Sequence, residues 1–254
     1  MSYLDIAKQV EARLKAEAQA PLSTSCIAVM VPVHNCLRYT AQFFATLSFG
    51  NSDEIVIDNA STDMTQHFIT KNMPSVTYVR NPHPKCVAAS WNQGLKLAFE
   101  RGATHVFVAN NDIVMMPGTI ATLLKWHEKG LEVPTVVAVP GATSTCLKDY
   151  VPREQTHKPG DFCGFLVTKF TMDRVGPFDE NFEVAYCEDI DWALRAKQKG
   201  CIVATCEDAP VFHWGSRTIV EGGVDNGPSF IRNAEYFRRK HGLSYEEARI
   251  LISM

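Results

Sequence analysis

The chain has 254 residues and a formal net charge of −3, with 46% hydrophobic and 21% charged residues, a balance that excludes a disordered, collagen-like or membrane-spanning protein. Its largest basic block, Arg238-Arg239-Lys240, falls short of the concentrated cationic face that phosphate-backbone binding demands. Eight cysteines, none in a C-x-x-C pair and several inside apolar runs such as Cys26-Ile27-Ala28-Val29-Met30-Val31, read as reduced core thiols and point to the cytoplasm.

Ile6, Val10 and Leu14 recur every fourth residue among Lys, Glu, Gln and Ala, which predicts an amphipathic helix over 3–20, ended by Pro21. Such a helix must lie against something, either its own domain or a second copy of the chain, so it is the candidate contact of a homo-oligomer. It is not an apolar leader, and no stretch reaches the roughly 20 apolar residues of a membrane span. Dense β-branched runs then predict strands over 26–31, 54–57, 76–79 and 105–109, alternating with helices over 39–48, 63–72, 88–101 and 118–129. Continuous apolar strands separated by helices imply an α/β fold, a mostly parallel sheet flanked by helices on both faces.

Further strands are expected over 136–139, 162–167 and 202–205, with a Pro/Gly/Lys/His-rich loop over 151–160 and a helix over 190–199. A glycine-rich stretch over 215–227 leads to helices over 229–241 and 244–252. No repeat or low-complexity linker divides the chain, so one compact domain is the economical reading.

In an open parallel sheet, ligands bind beyond the carboxyl ends of the strands. The residues standing there are Pro32-Val33-His34-Asn35, Asp58-Asn59-Ala60-Ser61-Thr62-Asp63 and Asn110-Asn111-Asp112, three polar clusters on one rim. No G-x-G-x-x-G follows the first strand, no glycine-rich loop ends in G-K-[ST], and no G-x-S-x-G is present, which argues against a dinucleotide-dependent oxidoreductase, a P-loop protein and an elbow-type hydrolase. A glycine-poor first turn must hold a nucleotide by side chains and a metal ion.

These clusters carry a resemblance. Val31-Pro32-Val33-His34-Asn35, Val56-Ile57-Asp58-Asn59-Ala60-Ser61-Thr62-Asp63, Asn92-Gln93-Gly94 and Val108-Ala109-Asn110-Asn111-Asp112 are followed by Gly176-Pro177-Phe178-Asp179-Glu180, Glu188-Asp189-Ile190-Asp191-Trp192-Ala193-Leu194-Arg195 and His213. In that order, from about residue 26 to 240, the chain resembles the inverting nucleotide-sugar glycosyltransferases of family 2, and within them the rhamnosyltransferase-like branch. The resemblance implies a GT-A (Rossmann-like) fold over 23–254 behind the N-terminal helix, 1–22, with a nucleotide-binding half, 23–115, and an acceptor half, 116–254. It also implies transfer of a sugar from a nucleotide diphosphate sugar to an acceptor hydroxyl on a glycan, lipid-linked sugar, protein or modified nucleic acid.

Sugar transfer from a nucleotide diphosphate needs a divalent cation, Mn²⁺ or Mg²⁺, to neutralise the departing diphosphate, and Asp oxygens suit it. The family's metal-binding acidic motif ends the strand where Asn110-Asn111-Asp112 stands, which makes Asp112 the implied metal ligand and Asn111 a ribose contact; an amide replaces an acid usual at the latter position. His213 is the implied second ligand. Asp58 or Asn59 would meet the nucleobase, with the Pro32 carbonyl and His34 beside it and Lys85 near the diphosphate or base. An inverting enzyme needs one carboxylate to take the acceptor's proton, and in the family that base is the Asp after Glu, here Asp189.

Plainer roles compete for several neighbours. Ser61 and Asp63 suit a turn capping the following helix. Asp191 and Arg195, four apart, suit an ion pair. Trp91 and Trp192 suit the core, whereas Trp214 with the 215–227 stretch suits a lid. Two rivals remain: a sugar-1-phosphate nucleotidyltransferase, which should carry a glycine- and arginine-rich first loop absent here, and a non-catalytic nucleotide-sugar or glycan-binding module.

Overall fold

A computed structural model describes residues 26–50, 52–140, 162–221 and 227–253. The expected N-terminal helix, the 151–160 loop, Cys146 and residues 222–226 of the glycine-rich stretch lie outside the described residues.

Strand β1 (Ile27–Val33) is buried along almost its whole length because both faces are covered. Val29, Val31 and Val33 enter one core and Ala28 and Met30 the other, the two-residue period of a strand. Parallel to β1 lie β2 (Asp53–Asp58) and β4 (His105–Ala109), with β3 (Thr77–Arg80) parallel to β2 at the outer edge. Helices α1 (Leu37–Thr46), α2 (Thr65–Asn72) and α3 (Val87–Glu100) connect them, as expected. Gly94 of α3 is required by packing: a Cβ there would overlap the Met30 side chain of β1.

The second half departs from parallel pairing. A two-residue strand, β5 (Ile113–Val114), precedes α4 (Thr119–Glu128), then β6 (Val133–Pro140), β7 (Gly164–Thr168) and α5 (Lys169–Val175). After these come α6 (Glu188–Gln198), β8 (Val203–His213), α7 (Arg217–Glu221), α8 (Gly227–His241) and α9 (Tyr245–Ser253). The eight strands form one mixed sheet in the order β3-β2-β1-β4-β7-β6-β8-β5. Strand β7 is antiparallel to both β4 and β6, and β5 is antiparallel to β8. This is the expected α/β, GT-A-like layout, with helices on both faces of one sheet.

The expected strand over 202–205 continues to His213, because a register shift lets β8 resume its ladder with β6: Val136 pairs with Cys206 and the next residue, Val137, with Pro210. Residues 207–209 are thereby left out of the ladder. Ile113 of β5 then pairs with His213, which brings the end of β8 beside the residue preceding β5, Asp112. Periodicity had no means to reveal β5, α5 or α7, which are short and lie within loop-like sequence.

Candidate active site

The three polar clusters meet as expected at the carboxyl ends of β1, β2 and β4, where Pro32, Val33 and His34 of the first, Asn59 of the second and Asn110 to Asp112 of the third line a cavity of about 690 Å³, within the ordinary range for a small-molecule site. Pro32, His34, Asn59 and Lys85 stand on one side, Asn111, Asp112 and His213 at the back, and Glu188 and Asp189 on the side supplied by the second half.

The nucleotide-side turns are locked by their own polar groups. Asn35 N–H donates to Ser61 Oγ (2.8 Å), and Asn35 Oδ1 accepts from Thr62 N–H (2.7 Å) and Asp63 N–H (3.2 Å). Asp63 accepts from Leu37 N–H at the start of α1 and Thr65 N–H at the start of α2 (3.1 and 2.9 Å). The capping role read for Ser61 and Asp63 is thus observed for Asp63, which serves two helices, whereas Ser61 ties the turn to Asn35 and caps no helix. His34 Nδ1 donates to the Asn59 carbonyl (2.7 Å), which leaves Nε2 as the acceptor. The Asn59 amide grips the Lys85 backbone at both N–H and carbonyl (2.8 and 2.7 Å), fixing the exposed Lys85 at the rim.

Asp58 requires a correction. Of the two residues expected at the nucleobase, Asp58 or Asn59, Asp58 is fully buried and is not among the cavity-lining residues. Its oxygens accept from Ser61 N–H (2.8 Å) and the Tyr78 hydroxyl, and Arg80 Nε lies 3.6 Å away. Desolvation and the Asp58 hydrogen bond push the Tyr78 phenol well above its usual range. Asp58 therefore braces the turn from behind, and Asn59 is the member of the pair that lines the cavity.

At the back, Asp112 Oδ2 accepts from Arg217 N–H (3.0 Å), and Oδ1 lies 3.2 Å from His213 Nε2. Burial alone would raise the Asp112 carboxyl, but the His213 contact and the Arg217 N–H more than offset it and hold it below its ordinary value. Burial alone would lower His213; the Asp112 carboxylate, then the Cys163 thiol, push it up to about 10. His213 Nε2 is buried without a satisfied hydrogen bond. Two donors on one octahedral divalent cation at about 2.1 Å stand roughly 3 Å apart, so the separation of Asp112 Oδ1 and His213 Nε2 fits neighbouring ligands. Among the described residues no set of three or more His, Cys, Asp or Glu converges on one point. The Asn111 amide bridges Thr40 (3.0 Å) and Thr218 (3.2 Å).

Trp214 and α7 close this corner. The indole packs against Tyr39 and Phe212 and donates to Gln42 (3.0 Å), while Glu221 accepts from Arg38 and Tyr39 (2.6 and 2.8 Å). The expected lid segment is therefore docked over residues 214–221. Trp91 and Trp192 are core residues as expected, and Asp191 pairs with Arg195 (2.9 Å), with Lys240 and His241 also on its carboxylate.

The opposite wall depends on a residue the sequence reading missed. Val184, Tyr186 and Cys187, just before α6, have φ of 54°, 78° and 75°, a left-handed conformation costing about 1–3 kcal/mol per non-glycine residue. Asn233 of α8, 1% exposed, holds them: its Oδ1 accepts from Glu183 N–H (2.8 Å), and its Nδ2 donates to the carbonyls of Glu183, Ala185 and Tyr186 (2.8, 3.0 and 3.0 Å). The strained turn aims Glu188 and Asp189 into the cavity. Glu188 Oε2 is buried without a hydrogen-bond partner, and desolvation, then the Asp189 charge, hold its carboxyl well above the ordinary range. Asp189 is half-buried and accepts from Ile190 N–H (2.7 Å). A polar residue in an amphipathic helix 50 positions away carries no local signal of this role.

Residues 28–187 match the family model described as "Glycosyl transferase family 2". The uncharacterized protein Rv1525 of Mycobacterium tuberculosis is 28% identical over 213 residues, covering 78% of this chain and 77% of its own. The mannosyltransferase PcManGT from Pyrobaculum calidifontis, solved in complex with GDP-Man and Mn²⁺, superposes with a TM-score of 0.63 at 15% identity, over 98% of this chain and 76% of that one. TarS 1-349 of S. aureus in complex with UDP-GlcNAc gives 0.59 at 15% identity, over 89% and 75% of the two chains. Such identities establish a shared fold.

Proposed function

The chain belongs to glycosyl transferase family 2, and from that membership and the geometry of the rim we propose that it moves a sugar from a nucleotide diphosphate sugar to an acceptor hydroxyl, with inversion and with a divalent metal ion. The single observation that carries the reading is that Asp189 lines the same cavity as the Asp112–His213 pair and the turns after β1 and β2. That is a carboxylate able to take a proton, across from a corner suited to diphosphate.

Pro32, His34, Asn59 and Asn111 line the space for the nucleoside, and the exposed Lys85 ammonium faces the diphosphate. Asp112 and His213 would hold Mn²⁺ or Mg²⁺, which when bound supplies charge neutralisation of the leaving diphosphate. Asp189 accepts the proton of the acceptor hydroxyl as its oxygen attacks the anomeric carbon in line, and no glycosyl-enzyme intermediate forms. The docked α7 shields the metal corner from water. The metal-bound mannosyltransferase and nucleotide-sugar-bound TarS support the donor class, and the order of motifs supports the rhamnosyltransferase-like branch. The free cysteines among the described residues support placement in the cytoplasm.

Incubating the purified protein with UDP-, GDP- and dTDP-sugars, in Mn²⁺, Mg²⁺ or EDTA, tests this by release of nucleoside diphosphate. Metal-dependent release from one donor is expected, and the anomeric proton coupling of the product reports inversion. Release of pyrophosphate from a nucleoside triphosphate and a sugar 1-phosphate would identify the nucleotidyltransferase instead. Donor binding without turnover toward any acceptor would identify a binding module.

A further inference from the structure

Beyond Asp189 the cavity ends in aromatic rings. Tyr186 and Tyr245 line it, and Phe230 of α8 stands between them, edge-on to Tyr186 (centroids 6.0 Å apart, 85°) and to Tyr245 (6.2 Å, 82°). Phe230 is 40% exposed although it belongs to an aromatic cluster at a cavity mouth. The Tyr186 hydroxyl is fixed by Ser216 Oγ (2.7 Å), so its ring is held in place. We propose that Tyr186, Phe230 and Tyr245 form the acceptor subsite and that it receives an uncharged saccharide ring. This rests on the glycosyl-transfer reading of the same cavity.

The chemistry selects that class from two sides. An aromatic surface matches the C–H face of a pyranose, whereas a hydrophilic chain without a ring gains little from it. Next to the rings, Glu188 and Asp189 line the cavity, which suits hydroxyl groups. The Asp189 carboxylate at this end repels a phosphate or a uronate. Among the described residues the nearby cations do not reverse the sign: Arg232 is committed to Glu183 (2.6 Å), and Arg249 stacks 5.8 Å from the Tyr245 centroid without lining the cavity. The lysine that does line the cavity, Lys85, stands at the nucleotide side.

Saturation-transfer NMR on the full chain with methyl glucoside, galactoside, mannoside and rhamnoside, against glycerol 3-phosphate and glucuronate, tests the subsite, with Mn²⁺-UDP and Mn²⁺-GDP titrated in parallel. At least one neutral glycoside should show ring-proton saturation that falls several-fold in Phe230→Ala and returns in Phe230→Trp, while nucleotide titrations stay unchanged in both variants. Glycoside signals that survive Phe230→Ala, stronger signals from the anions, or no neutral glycoside signal at all would overturn the proposal. A wild-type protein that takes glycosides in this Phe230-dependent way but neither nucleotide would leave the subsite standing and remove the glycosyl-transfer reading beneath it.

Discussion

Two acidic turns on the same rim are built in opposite ways. In the turn after β2, the carboxylates do the bracing: Asp58 and Asp63 accept backbone N–H groups of the turn and of two helices, and little of either is left for a ligand. In the turn before α6 the bracing comes from outside, from the Asn233 amide on α8, and the carboxyl groups of Glu188 and Asp189 face the cavity. An acid is available for chemistry when another residue carries the structural work. Similar letters, Asp-Asn-Ala-Ser-Thr-Asp and Glu-Asp-Ile-Asp, thus hide different functions.

The comparison can be broken most sharply at Asp189. Asp189→Asn should lower donor turnover to acceptor by roughly a hundred- to ten-thousand-fold with nucleotide binding intact by calorimetry; turnover close to wild type would remove the base. Next is the external brace. Asn233→Ala should cost about 2–4 kcal/mol, since it orphans several buried backbone groups and leaves a strained turn unheld. It should depress kcat more than donor KM, and Asn233→Asp should restore only the part due to the Glu183 N–H. An unchanged kcat in a folded Asn233→Ala protein would show that the turn aims Asp189 without help.

The self-braced turn gives a smaller effect with the opposite signature. Asp58→Asn should reduce stability by about 1–3 kcal/mol, through the weakened Arg80 and Tyr78 contacts, and leave nucleotide affinity unchanged; a loss of affinity without a loss in melting temperature would restore Asp58 to the nucleobase. The mildest test concerns Glu188. Its folded carboxyl keeps a proton that the unfolded chain releases above its ordinary value of 4.5. The native state then binds more protons, and this group's contribution to stability falls as pH rises from there toward the raised folded value. Melting temperatures measured from pH 4.5 to 8 should show a flatter decline in Glu188→Gln than in the wild type, and identical slopes would argue against a protonated Glu188.

Much of the architecture was legible because it follows from local pattern. Continuous apolar runs became β1, β2 and β4, and amphipathic spacing became α1 to α4, α6, α8 and α9 within a few residues. The rim followed from topology, since polar residues after parallel strands have one place to go. What stayed hidden depends on long-range pairing. Asn92, within a recognised motif, is explained only by its grip on the Phe178 backbone (2.8 and 2.9 Å), and Asn233 had no motif at all. Asp58 looked like a ligand residue because burial is invisible in a string of letters. The second half of the sheet was read least well, since antiparallel insertions such as β7 break the strand-helix rhythm.

The register shift in β8 also bears on how relatives are compared. Residues 207–209 stand outside the ladder, with Cys206 and Pro210 facing consecutive residues of β6, so this stretch can gain or lose a residue without disturbing the pairing on either side. Evolutionary change in length should collect there. An alignment that sets its gap elsewhere in β8 will slide His213 into a neighbouring column and hide any histidine that ends the same strand in a relative.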